Sequence, residues 1–399
     1  MLYVSQRQAT FKYLPLLQII ALSLLFLESA RKIYVRNQAQ IVVFFSFIGK
    51  MKFPRRAGLL SNALLLLALQ LTVALASVTS ADFIKEHRIP EDLNGSNWPY
   101  PWPVKLFRFA SQHEQMLEMA FMDVAPTGPA NGKAALLLHG KNFCGPTWKA
   151  TAVVLARAGY RVILPDQIGF CKSQKPDRYQ FSLQQLASNT HRLLAKLGIP
   201  KATLIGHSLG GMLATRYSLM YPASVTELVL TNPIGLEDWK ALGVPWIDLD
   251  TSWAMEKLST YSNIRGYEQA TYYVGTWKPS YDAWVKMLVN VYTGSKAAKF
   301  TYNQAQIVDM VLTQPIVYEF PRLQPKTLLL IGAKDNTAIG KQWSPKDVQA
   351  KLGHYDVLGP ATAAAIPNAT LVVFENLGHA PQIQEPDRFH AALLGWLCG

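Results

Sequence analysis

Ala134–Leu138, Ala202–Ile205, Thr226–Leu230 and Thr327–Ile331 are short, largely apolar runs with no polar alternation. A strand covered on both faces reads this way, so each predicts a buried parallel strand. Tyr160–Leu164 and Leu371–Phe374 fit the same description. Val104–Phe109 and Met116–Val124 alternate instead, which predicts two antiparallel strands with one wet face. Between the strands, Pro146–Ala158, Phe181–Leu197, Gly211–Tyr217, Ser344–Lys351 and Pro386–Leu397 place apolar residues at helical spacing. Strand and helix in alternation predict an α/β fold: a mostly parallel, doubly wound sheet of about eight strands. From Gly235 to about Phe320 the pattern changes. That stretch holds Trp239, Trp246, Trp253, Trp277 and Trp284, keeps helical spacing and offers no strand. It predicts a helical insertion, a cap over 235–320 that splits the α/β domain into 104–234 and 321–399.

Charge alters the picture only at the front. The chain carries a net +13, which invites a nucleic-acid reading. Residues 1–81 hold nine Lys or Arg and one acid, so they supply +8 and leave +5 with no basic run. The charge therefore belongs to targeting sequence, and no nucleic-acid partner is expected. Residues 51–81 have a basic start (Lys52, Arg55, Arg56), an apolar core (Leu59–Leu75) and small residues at a cleavage site. Those are the parts of a secretory signal. The expectation is a start at Met51 and secretion, with 1–50 an over-extension of the reading frame. The alternative is a membrane anchor, although the apolar runs Leu14–Leu27 and Ile41–Ile48 are short for a span of ~20 residues. The sequons at Asn94 and Asn368 make these candidate glycosylation sites. Residues 82–103 end in Asn97-Trp98-Pro99-Tyr100-Pro101-Trp102-Pro103, an extended strap expected to cover a flank of the domain.

The chemistry gathers at the ends of predicted strands. Gly206-His207-Ser208-Leu209-Gly210 is a G-x-S-x-G pentad between a strand and a helix, the nucleophile-elbow pattern. Gly206 and Gly210 are read as structural, because a Cβ at either would clash inside so sharp a turn. His207 is expected to pack behind the elbow. A serine hydroxyl needs a base, and the base needs an orienting acid. Asp335 follows Thr327–Ile331, and His379 follows Leu371–Phe374. Ser208, Asp335 and His379 thus stand in the chain order of a Ser-Asp-His triad. No His, Asp or Cys cluster has metal-ligand spacing, so no metal is expected, and no organic cofactor is implied either.

In LLLHGKNF, LPDQIGFCKS, GHSLGGM, LLLIGAKD and ENLGHAPQIQEP the chain resembles the α/β-hydrolase superfamily. The likeness is to its capped, serine-triad branch and covers roughly residues 104–399. It implies a serine esterase: Ser208 as nucleophile, His379 as general base then acid, Asp335 as the residue that fixes the histidine tautomer. It also implies an oxyanion hole from the backbone N–H of Leu209 and of Lys141 or Asn142. His139 takes a structural role, and the loop of Asp166 packs beside the site without supplying the acid. The implied substrate is a small apolar or aromatic ester, lactone or related acyl compound. Carbon–carbon bond hydrolases and perhydrolases would keep the same residues. An epoxide hydrolase-like enzyme would place an aspartate at 208, and a non-catalytic ligand-binding protein could retain the fold. Lys141 stands where many relatives carry an apolar residue. Its ammonium is expected to point to solvent, the alternative being attraction of an anionic substrate. Cys144 and Cys171 follow loops that lie near each other on the sheet rim. They are expected to be separate buried fillers, with a disulfide as the alternative open to a secreted protein.

Overall fold

The computed structural model describes residues 92–399. The signal peptide expected over 51–81, the segment 1–50 and the first part of the strap lie outside the described residues. An eight-stranded sheet runs through the protein: β1 (Val104–Ala110), β2 (Met116–Val124), β3 (Ala134–Leu138), β4 (Arg161–Pro165), β5 (Ala202–His207), β6 (Val225–Thr231), β7 (Lys326–Gly332) and β8 (Ala369–Phe374). Its order is β1-β2-β4-β3-β5-β6-β7-β8. β1 and β2 pair antiparallel, β2 meets β4 antiparallel, and every other neighbour is parallel.

Period two along a strand divides the core between two faces. In β3, Ala135 and Leu137 join one apolar cluster, while Leu136 and Leu138 join the other. The first is covered by α1 (Lys149–Arg157) and, from the far end of the chain, by a helix over Pro386–Cys398. The second is covered by α2 (Leu183–Lys196) and α3 (Leu209–Met220). Between β6 and β7 the chain builds α4 (Leu249–Glu256), α5 (Tyr261–Thr271), α6 (Asp282–Tyr292) and α7 (Ala297–Thr313), with no strand among them. α8 (Tyr355–Ala365) lies between β7 and β8 and α9 (Pro386–Cys398) follows β8, with single helical turns at Lys346–Gln349 and Pro381–Gln384. Among the described residues no helix is long and apolar enough to cross a membrane.

Two helices differ from expectation. The run Pro146–Ala158 splits into a 3₁₀ turn, Gly145–Trp148, which carries Pro146 at its second position, and α1. In place of a helix over Ser344–Lys351 there is a single turn, Lys346–Gln349. The helix on that side is α8, which sequence reading passes over because Gly359 and Pro360 look like a break. They are tolerated for separate reasons. Pro360 costs one helical N–H donor, and a Cβ on Gly359 would come 3.1 Å from Ile331 Cγ2, so glycine lets α8 lie close on β7.

Cys144 and Cys171 correct the filler reading, since they form a disulfide with Cα atoms 5.8 Å apart. The bridge joins the loop after β3 to the loop after β4. Closing a loop of 27 residues' separation stabilises the fold by roughly 3–4 kcal/mol in the chain-entropy account. Cys144→Ser with Cys171→Ser is expected to lose about that much in denaturant unfolding, and a loss under ~1 kcal/mol would sink the account.

The strap is pinned from two sides. Lys172 Nζ donates to Ser96 O at 2.9 Å, and Lys175 Nζ donates to Asn94 O at 2.6 Å and to Cys171 O. Burial pushes the Lys175 ammonium down to about 7. From α6, Asn290 Oδ1 accepts the N–H groups of Asn97 and Trp98. Trp98, Tyr100 and Trp102 then pack against the core, and the Tyr100 hydroxyl donates to Asp166 at 2.5 Å. Of the two sequons, Asn94 has its Nδ2 engaged with Lys172 O at 3.0 Å, whereas Asn368 is exposed.

Candidate active site

The elbow follows from local sterics. β5 is buried along its whole length and leads straight into α3. Ser208 between them takes φ 56° and ψ −121°. A non-glycine residue there costs on the order of 1–3 kcal/mol, held in place by its surroundings. Ser208 N–H donates to Thr231 O at 3.2 Å, and its carbonyl accepts from Gly211 and Ile234. A Cβ on Gly206 would sit 2.2 Å from Gly210 O, and one on Gly210 would sit 2.1 Å from Leu138 O. Gly206 thus lets the strand meet the helix, while Gly210 lets the helix meet neighbouring β3. Ser208 is left at the N-terminal end of α3, where the helix dipole favours negative charge.

The sheet brings the other two residues to the same end. Asp335 stands beyond β7 and His379 beyond β8. His379 Nδ1 meets Asp335 Oδ2 at 2.6 Å. Ser208, Asp335 and His379 are 5, 2 and 0 % exposed, so this polar group works out of water. Asp335 has further donors: Asn232 Nδ2 to Oδ2 at 2.9 Å and Thr337 N–H to Oδ1 at 2.8 Å. With both oxygens committed as acceptors, the carboxylate calls for a proton on Nδ1 of His379. That leaves Nε2 of His379 as the lone-pair nitrogen, and Nε2 is buried with no hydrogen-bond partner among the described residues.

Supporting residues fix the histidine. The His207 ring lies 4.8 Å from that of His379, and its Nε2 donates to His379 O at 2.8 Å. Burial holds the pKa of His207 well below the usual imidazole value, so it stays neutral and can serve as this donor. Phe143 stacks on His207 at 5.5 Å, and Tyr272 lies 4.7 Å from His379. His139 is also buried, with Nε2 accepting from Gln167 N–H at 3.1 Å. Asp166 accepts from Gly145 N–H, Lys172 N–H and Tyr100, which ties loops together and leaves it apart from His379.

Ser208 opens into a cavity of about 250 Å³. Ile234, Leu288, Val308 and Trp343 give it apolar wall, while Lys141, Asn142, Glu256 and Tyr292 give it polar wall. Lys141 corrects the solvent reading: its Nζ donates to Glu256 Oε1 at 2.6 Å and its side chain is 16 % exposed. Asn142 Nδ2 donates to the Tyr272 hydroxyl at 3.1 Å. Leu209 is the first residue of α3, where an N–H has no carbonyl one turn earlier to bond.

Sequence reading missed Asn232, Tyr272, Glu256 and Tyr292. Asn232 had a signal, its place directly after β6 in the row of strand ends. The other three lie in or beside insertion helices, and nothing local in the sequence points to their partners.

Comparisons with known proteins agree with this architecture. A family profile described as alpha/beta hydrolase fold matches residues 134–386. The crystal structure of a probable hydrolytic enzyme from Pseudomonas aeruginosa is 57% identical, with a TM-score of 0.73 over 75% of this chain and 95% of that one. Lipase 1 of Psychrobacter immobilis is 25% identical over 67% of this chain and 77% of its own length. An esterase from Exiguobacterium antarcticum shares the fold, with TM-score 0.56 and 19% identity over 73% of this chain and 99% of that one. The chain belongs to the alpha/beta hydrolase fold family.

Proposed function

We propose that the protein is a serine hydrolase that cleaves a carboxylic ester, lactone or related acyl bond. Ser208 Oγ attacks the acyl carbon while its proton passes to Nε2 of His379. The carbonyl oxygen becomes an oxyanion, met by the N–H of Leu209 and by that of Lys141 or Asn142. Collapse expels the alcohol, which takes the proton from His379, and leaves an acyl-serine. Water then repeats the steps, giving up a proton to His379 and releasing the acid. Asp335 keeps the histidine tautomer and steadies the imidazolium. The observation that carries this reading is the state of His379, with Nδ1 on Asp335 at 2.6 Å and a buried, unengaged Nε2. Relatives named lipase and esterase support it. The mixed cavity wall favours a neutral acyl group of modest size, because the Lys141–Glu256 pair cancels its own charge.

The disulfide and the exposed sequon at Asn368 support secretion, since disulfides persist in oxidising compartments. The test of function is labelling with a fluorophosphonate, run beside hydrolysis of p-nitrophenyl esters of graded chain length. One label per chain, with matching loss of ester turnover, is expected. A protein that takes no label and turns over no ester would be a ligand-binding member of the fold instead.

A further inference from the structure

Lys141 comes directly after the His139-Gly140 turn, and it is one of the two residues offered as second oxyanion donor. Its Nζ donates to Glu256 Oε1 at 2.6 Å, and the side chains are only 16 and 11 % exposed. Glu256 is the last residue of α4. Its other oxygen accepts from the hydroxyl of Tyr292, the last residue of α6, also at 2.6 Å. All three line the cavity that holds Ser208. A bridge of this kind differs from a surface ion pair. An exposed pair is mobile and worth little, whereas a desolvated one with its carboxylate doubly bonded holds one geometry. Asn142 is tied to the insertion too, through the Tyr272 hydroxyl. Both candidate donors are thus held by side chains reaching the helices above them.

We infer that Glu256 and Tyr292 are positioning residues that act through Lys141. They fix the backbone at Lys141-Asn142 where an oxyanion forms, so the insertion sets turnover as well as substrate fit. A backbone N–H stabilises developing charge only when it is preorganised, and a displacement of about 1 Å can cost on the order of 100-fold in rate. The inference rests on the serine-hydrolase reading, and the experiment separates the two.

The variants are Lys141→Met, Glu256→Gln, the two combined, and Tyr292→Phe, each assayed on p-nitrophenyl acetate with thermal unfolding measured alongside. Either single change at the pair leaves a charge unpaired, so stability and turnover should both fall. The double variant removes both charges and should recover stability. Its kcat is expected to stay roughly 10- to 100-fold below native, with KM changed less than about threefold. Tyr292→Phe leaves no charge unpaired and should lower kcat by up to about tenfold. A double variant that regains kcat along with stability would overturn the inference, because the bridge would then only balance charge. Losses confined to KM would overturn it as well, by making Lys141 a substrate contact. Fluorophosphonate labelling of the native protein reads the underlying function: labelled protein with unaffected variants removes this inference alone, and unlabelled protein removes both.

Discussion

Ser208→Ala is expected to lower kcat on an activated ester by roughly 10⁴- to 10⁶-fold, and Asp335→Asn by about 10⁴-fold. In the proposed mechanism alanine removes the group that forms the acyl intermediate, and whatever backbone donors remain can stabilise only direct attack by water. The asparagine change acts differently. Asp335 Oδ2 accepts from His379 Nδ1 and Asn232 Nδ2, and Oδ1 accepts from Thr337 N–H. A carboxamide in its place has one oxygen to offer, so its NH₂ must face a donor or meet Nδ1 as a donor itself. In the latter case Nδ1 becomes the acceptor, the proton moves to Nε2, and the base toward Ser208 is lost. The two changes should not multiply, because in the proposed mechanism nucleophile, base and orienting acid act as one unit. The measurement is kcat for each single and the double variant, with folding checked by circular dichroism. Multiplying losses, or a Ser208→Ala protein within tenfold of native, would move the nucleophile elsewhere.

Glu268→Gln is expected to stabilise the protein by on the order of 3–5 kcal/mol between about pH 7 and 9. Glu268 lies on α5, is 0 % exposed, and neither carboxyl oxygen has a hydrogen-bond partner among the described residues. Its neighbours include Tyr267, Tyr272 and Tyr273. Burial alone pushes its carboxyl up to about 8 from an ordinary value of 4.5. The sign follows. The folded state holds the proton more tightly than the unfolded chain, so stability is full below about pH 4.5 and drains as pH rises toward 8. Gln keeps the shape and has no charge to bury. The native protein should therefore lose thermal stability relative to Glu268→Gln as pH rises from 5 to 8, on top of the pH dependence that the buried Lys175 and His207 impose on both proteins. Parallel curves would assign the pH dependence to another group. Because α5 also carries Tyr267, which lines the cavity, alkaline loss should appear first as opening of the roof over Ser208.

How much was legible in the sequence divides along physical lines. Pattern and local chemistry were enough for the eight strands, the helical insertion between β6 and β7, and the elbow at Ser208. A buried strand needs an unbroken apolar run, and a strand-to-helix turn that sharp needs small residues at Gly206 and Gly210. The places of Asp335 and His379 were legible too, because successive parallel strands end on the same edge of the sheet. α8 was hidden, since the fit of Gly359 depends on the surface of β7 beneath it.

What only the tertiary structure decided depends on distance along the chain. Cys144 and Cys171 could be fillers or a bridge until two loops were set side by side. Lys141 could face solvent until Glu256, 115 residues on, was folded back over it. Asn232 became a partner of Asp335 through the pairing of β6 with β7, and Glu268 lost its hydration through burial of its helix face. Sequence carries the chemistry of each residue and its local conformation. Whether a charge is paired, a thiol bridged or a carboxyl stranded depends on neighbours that only the packed chain supplies.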